Sequence, residues 1–116
     1  MRILFDHGTP TALARALVGH TVTEAIDHGW DHISNGELLT LAEQAGFEIL
    51  LTTDKNLRYQ QNLSGRKIAL VVLGNSPWHL VRLHIPAIVA VVNAATPGSF
   101  AEVEIPLPPK PPFVRS

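Results

Sequence analysis

Three short runs of the chain, Ile3-Leu4-Phe5, Ile49-Leu50-Leu51 and Ala69-Leu70-Val71-Val72-Leu73, are apolar at every position. A strand with one face in water alternates between apolar and polar residues, whereas a strand buried on both faces reads as a continuous apolar run, the condition of a parallel sheet covered by helices. Charged residues make up only 16% of the chain and apolar residues 46%, which fits that burial, since soluble domains average roughly 25% charge. A length of 116 residues suits one hydrophobic core. The expectation is a single domain over residues 1–105, followed by a proline-rich extended tail over residues 106–116 with five prolines.

Between these runs the chain alternates strand and helix signals. Arg2–Phe5 reads as a first strand, and Pro10 opens a helix to Val18 carrying Leu13, Ala14 and Leu17. Thr21–Ile26 read as a second strand, and residues 27–33 as a loop. Ser34-Asn35-Gly36-Glu37 has the form of a capping box, and Leu38, Leu39, Leu41, Ala42 and Ala45 give the adjoining helix a core face before Gly46. Glu48–Thr52 form a third strand and Lys67–Leu73 a fourth, with a short helical turn and loop over residues 55–66. Ser76-Pro77 mark another helix start, and Pro86 splits that helical stretch into two pieces, the second being Ala87–Ala95. Phe100–Ile105 alternate as an outer strand, with Glu102 and Glu104 on one face. The sum is an α/β fold, three-layered and doubly wound around a mostly parallel five-stranded sheet.

Two of the apolar strands end by delivering a carboxylate, Asp6 and Asp54. Ligands of open parallel sheets sit outside the carboxyl ends of the strands. Two carboxylates about 5 Å apart at an effective dielectric of about 20 repel by roughly 3 kcal/mol, and a cation relieves that strain. Glu37, at the start of the second helix, is the nearest further acid, although the capping box alone accounts for it. Asn35 and Asn56 offer neutral oxygen donors of the kind that hard cations accept. Asp6, Asp54 and Glu37 thus outline an oxygen-lined Mg²⁺ or Mn²⁺ centre suited to phosphodiester hydrolysis, in which the metal lowers the pKa of water and neutralises phosphate charge. Lys55, Arg58, Arg66 and Lys67 lie close to it in sequence, Arg58 being the preferred phosphate contact and Tyr59 a base-stacking candidate.

Other chemistries find less support. The chain has no cysteine, so disulfides, thiolate metal sites and cysteine nucleophiles are excluded. His28 and His32 lack the H-E-x-x-H spacing of a zinc site. Trp30 and Trp78 read as packing aromatics. A formal charge of −1 gives no global basic field, so any nucleic-acid contact has to come from a local patch. Met1-Arg2 lead straight into a strand without a signal-peptide h-region, and the longest apolar stretch, near Ile85–Val92, carries Pro86 and falls short of a membrane span. A cytoplasmic location without membrane contact is expected.

Met1-Arg2-Ile3-Leu4-Phe5-Asp6 with Pro10, Gly19-His20-Thr21-Val22, Gly29-Trp30, Glu37 to Ala42, Thr52 to Leu57, Arg58 to Leu63 and Ile68 to Leu73 together resemble the small bacterial PIN-like domain proteins, relatives of the VapC-type toxin ribonucleases. The resemblance runs over about residues 1–105. It implies a metal-dependent ribonuclease with acidic ligands at Asp6, near the start of the second helix and at Asp54, an RNA substrate, and a cognate antitoxin protein; a homodimer is a further option. His7, Asn35 and Asn56 stand where the family pattern carries acids, which favours a second reading, a PIN-like module that binds RNA or protein without cutting it. A third reading, a receiver-like phospho-acceptor domain with Asp54 as acceptor, calls for an acid beside Asp6 and a lysine after the last strand, where this chain has His7 and Ile105-Pro106.

Overall fold

The computed structural model describes residues 1–54, 63, 65–75 and 77–106. Its elements run β1 (Arg2–Phe5), a 3₁₀ segment (Thr11–Ala16), β2 (Thr21–Glu24), a 3₁₀ turn (Ala25–His28), α1 (Asn35–Gln44), β3 (Ile49–Thr52), β4 (Ala69–Leu73), α2 (Trp78–Val81), a 3₁₀ turn (Arg82–His84), α3 (Ile85–Ala94) and β5 (Phe100–Val103). The five strands form one all-parallel sheet in the order β2-β1-β3-β4-β5. The α/β, doubly wound expectation holds. The expected tail beyond Pro106 lies outside the described residues, and among those described no helix is long and apolar enough to cross a membrane.

The apolar runs are apolar because both sheet faces are covered. Ile3, Phe5, Ile49, Leu51, Val71 and Leu73 point to the side of α3, where they pack with Leu13, Leu17, Ile88 and Val92. Leu4, Leu50, Leu70 and Val72 point to the side of α1 and meet Leu38, Leu39, Ala42 and Phe47. Period-two alternation therefore persists, expressed as two cores rather than as core and solvent. Edge strand β2, with Thr21, Thr23 and Glu24, is less buried and more polar, as suits a strand with one unpaired side.

The connections on the α3 side have an unusual consequence. The β1→β2 and β4→β5 links both cover that face yet step in opposite directions along the sheet, so the two crossovers differ in hand. The α1 link covers the other face, which gives β2→β3 the hand of β1→β2 and leaves β4→β5 opposite to both. The β1→β2 link offers only a six-residue 3₁₀ segment, too short to shield Ile3, Phe5, Ile49 and Leu51. Helix α3 completes that layer.

Several expected boundaries shift for local reasons. The helix expected from Pro10 is the shorter 3₁₀ segment, because Pro10 itself is extended, with ψ 120°, and supplies no side-chain cap. The second strand stops at Glu24, where the chain turns into Ala25–His28 and closes on Gly29. Pro86 sits in the first turn of α3, the position where its missing N–H costs nothing, so the second helical piece begins at Ile85 rather than Ala87. Strands β3 and β4 begin one and two residues later than expected, and β5 ends at Val103.

Two contacts hold long-range register. Gly74 lies under the chain leaving β5: an added Cβ would stand 2.9 Å from the Ile105 nitrogen and 3.2 Å from the Val103 oxygen. Both neighbours are backbone, so Gly74→Ala is expected to cost about 2 kcal/mol of unfolding free energy in urea titration. At the opposite edge of the sheet, Glu43 on α1 accepts the Lys67 and Ile68 N–H groups at 2.7 and 3.2 Å, and these bonds hold its carboxyl below the ordinary glutamate range. A lowered folded value means that the stabilisation is complete above the unfolded glutamate value of about 4.3 and fades as pH falls through the folded value. Glu43→Gln should lower stability by about 1 kcal/mol at pH 7, and denaturation curves should show the difference closing towards pH 3.

Candidate functional site

In the order β2-β1-β3-β4-β5 the chain leaves β1 in one direction and returns to β3 on its other side. The connections diverge there, opening a crevice at the carboxyl ends of β1 and β3, the switch point where open α/β sheets bind ligands. Asp6 directly follows β1, and its N–H extends the ladder to the Leu51 oxygen at 2.9 Å. Asp54 lies two residues beyond the end of β3. The two acids singled out from the sequence thus occupy neighbouring strand ends on one rim.

Thr52, the last residue of β3 and fully buried, joins them. Its Oγ1 donates to Asp6 Oδ2 at 2.8 Å and accepts the Asp54 N–H at 3.1 Å. An amide N–H can only donate, and a hydroxyl carries one proton, so that proton is directed to Asp6 Oδ2. The other Asp6 oxygen, Oδ1, accepts the His7 N–H at 2.7 Å. The turn after β1 closes on the main chain, Thr9 N–H to Asp6 O at 3.1 Å, leaving the Asp6 carboxylate facing the rim. Gly8 takes φ +90° in this turn, and a Cβ there would touch Thr53 Oγ1 at 3.4 Å. Buried Thr9 fixes the loop from beneath, donating to the Leu51 oxygen at 3.2 Å.

The first residue of α1 reaches the same rim. Asn35 Nδ2 donates to Asp54 Oδ2 at 2.8 Å, which turns the amide oxygen away from that carboxylate oxygen. Ser34 caps the helix by accepting the Glu37 N–H at 3.3 Å, so this N-cap fixes where α1 starts and hence where Asn35 stands. Glu37 itself is exposed on the first turn. Among the described residues no three acid or imidazole side chains converge as a metal-holding group, so Glu37 is not brought together with Asp6 and Asp54. Lys55, Asn56, Arg58 and Tyr59 lie outside the described residues.

Two features of the rim escaped the sequence reading. Thr52 is one; the signal was a hydroxyl at the end of a strand otherwise wholly apolar. The other is Glu24, the last residue of β2 and in register with Phe5, so that three adjacent strands each bring an acid to the rim. Reading β2 through to Ile26 placed Glu24 inside a strand and hid this. Glu24 accepts from Thr11 Oγ1 at 3.1 Å, and it lines with Asp6, His7 and Gly8 a cleft of about 200 Å³ between β1 and β2.

Conversely, Arg66 and Lys67 do not belong to this rim. They precede β4, and in an all-parallel sheet the start of a strand lies at the opposite edge. Arg66 Nη2 donates to Thr40 on α1 at 3.3 Å, and Lys67 lines a small cavity with Met1, Glu48 and Pro97. The histidines considered for zinc are engaged locally: His28 stacks on Trp30 at 4.4 Å and His32 pairs with Asp31 at 3.0 Å. Trp30 does pack, edge-on to Phe47, whereas Trp78 is 37% exposed and departs from the packing role expected of it.

The donor set fits a hard divalent cation. Mg²⁺ is held by one or two carboxylates and keeps several waters for itself, and Asp6 and Asp54 are two carboxylates oriented by fixed hydrogen bonds, with the Asn35 amide beside them. A carboxylate oxygen has two lone pairs, so one that accepts a hydrogen bond can still bind a cation. Compared with protein-family models, curated proteins and solved structures, the chain gives no match. Thr52→Val removes the donor to Asp6 and the acceptor of the Asp54 N–H together; urea denaturation is expected to show a loss of about 1–3 kcal/mol, with Thr52→Ser close to wild type.

Proposed function

We propose that the chain is a PIN-like, metal-dependent ribonuclease acting in the manner of a VapC-type toxin, with Asp6 and Asp54 holding Mg²⁺ or Mn²⁺. The observation that carries this reading is the Thr52 hydroxyl, which joins the Asp6 carboxylate to the Asp54 main-chain N–H at one crevice. Hard oxygen donors at a sheet switch point match the demands of phosphodiester hydrolysis. A bound divalent ion supplies Lewis acidity, lowering the pKa of water and neutralising charge that builds on the phosphate.

The protein's own part is orientation. Thr52 and the His7 N–H fix the Asp6 carboxylate, and Asn35 fixes Asp54, so neither acid has to be ordered when substrate arrives. Asn56 is the further neutral oxygen donor proposed for the ligand set, with Lys55, Arg58 and Tyr59 as contacts to RNA. The reading brings with it a cytoplasmic toxin-antitoxin pair whose partner is a cognate antitoxin, and a homodimer as a further assembly.

The test combines cleavage with metal binding. Calorimetric titration with Mn²⁺ should show binding that Asp6→Ala and Asp54→Ala each abolish, and a fluorescent RNA should be cut by wild type in Mn²⁺ and by neither variant. Asn35→Ala, which deletes a donor to Asp54 without removing a carboxylate, is expected to cost about 10–100-fold in metal affinity or rate. Equal cleavage by wild type and both aspartate variants would defeat the mechanism.

A second reading draws on the position of Glu37: among the described residues no third acid joins Asp6 and Asp54 in a metal-holding group. In that case the domain binds RNA or protein without cutting. Absence of Mn²⁺ binding at millimolar concentration would select it.

A further inference from the structure

The chain leaves β5 beside the start of α2. Beyond Val103 it crosses Gly74, where an added Cβ would stand 2.9 Å from the Ile105 nitrogen and 3.5 Å from the Glu104 Cα. Asn75 Nδ2 donates to the Ile105 carbonyl oxygen, and Ile105 is buried in the same core cluster as Leu80 and Val81 of α2. Pro106 is therefore delivered, exposed, close to that helix. Trp78 follows Asn75 by three residues, so their Cα atoms are at most about 11 Å apart.

Leu80 and Val81 anchor α2 in the core, while Trp78, His79, Arg82 and Leu83 are exposed and make up the outward surface of α2 and the turn after it. Trp78 is 37% exposed and Leu83 63%. Among the described residues the other exposed indole or phenyl ring is that of Phe100, which stands at the start of β5, at the rim opposite to the one from which the tail departs. Arg82 and Glu104, of opposite charge, both border the α2 surface. An occupant is selected there by the indole rather than by charge.

Residues 106–116 carry five prolines, and Pro108-Pro109-Lys110-Pro111-Pro112 contains the P-x-x-P spacing twice. Sequences of this kind favour the polyproline II helix, which docks on aromatic-lined surfaces at small entropic cost because it is already extended. At about 3.1 Å per residue, Pro109 stands about 9 Å beyond Pro106, the span to Trp78, and Phe113 about 12 Å further, enough to reach Leu83. A short tether holds the segment at an effective concentration of millimolar order, so a contact too weak between separate molecules is populated within one chain. We infer that the tail straps back over α2 of its own chain, with Pro108 and Pro109 stacked on the Trp78 indole and Phe113 against Leu83. The inference stands apart from the reading of the Asp6–Asp54 crevice as a metal site.

The test is NMR spectroscopy of the full chain. Ring protons of Pro108 and Pro109 should show nuclear Overhauser contacts to the Trp78 indole and an upfield ring-current shift, both lost in Trp78→Ala. Acrylamide quenching of Trp78, read in Trp30→Phe so that a single indole emits, should rise when Pro108→Ser, Pro109→Ser, Pro111→Ser and Pro112→Ser are combined. These four changes lie beyond β5 in the chain, which keeps the test decisive if Trp78→Ala unfolds. Random-coil proline shifts without contacts to the indole, or quenching unchanged by the serine variant, would overturn the strap. So would contacts between chains of different isotope label in a mixed sample, which would assign the surface to a second copy, and contacts to Phe100 in place of Trp78.

Discussion

A single buried hydroxyl settles the character of the rim. Thr52 ends a strand that is otherwise apolar, lies out of contact with water, and satisfies its one donor and one of its acceptor positions across two strands. A buried polar group without partners costs free energy, so the hydroxyl is stable there only while Asp6 and the Asp54 N–H stay in place. The bond therefore acts in both directions: it orders the site, and the site satisfies the bond. The register Phe5↔Leu51 brings these residues level, and β1–β3 pairing is in turn fixed by the burial of Ile3, Leu4, Leu50 and Leu51 on two different sheet faces.

Because all five strands run the same way, every strand end faces one rim and every strand start faces the other. This polarity explains why residues close in sequence part company. Thr52 and Asp54 stand at one edge, Arg66 and Lys67 at the opposite one, and Glu43 ties α1 to the start of β4 there. The hydrogen bonds of Glu43 and the tight passage over Gly74 serve register, while those of Thr52 and Asn35 orient carboxylates.

Much of this was legible in the sequence. Continuous apolar runs announced a sheet covered on both sides, and the strand-end positions of Asp6 and Asp54 announced a shared rim, because both features depend only on local pattern. The capping box announced the start of α1 through Ser34 and Glu37. Misreadings arose where a boundary depended on something distant. β2 appeared longer than it is, since Ala25 and Ile26 look strand-like in isolation, and this concealed Glu24. Trp78 looked like core because tryptophan usually is, and only the anchoring of Leu80 and Val81 turns it outward.

Local pattern thus determined the sheet type, the two principal acids and the helix start that positions Asn35, because burial periodicity and capping are properties of adjacent residues. Tertiary structure alone decided the strand order, the opposite hand of the last crossover, the removal of Arg66 and Lys67 from the site, and the bond from Thr52 to Asp6 across 46 positions of sequence. Those outcomes depend on which strands pair and which face each connection covers. Pairing is chosen by how the whole core closes, and no short segment carries that information.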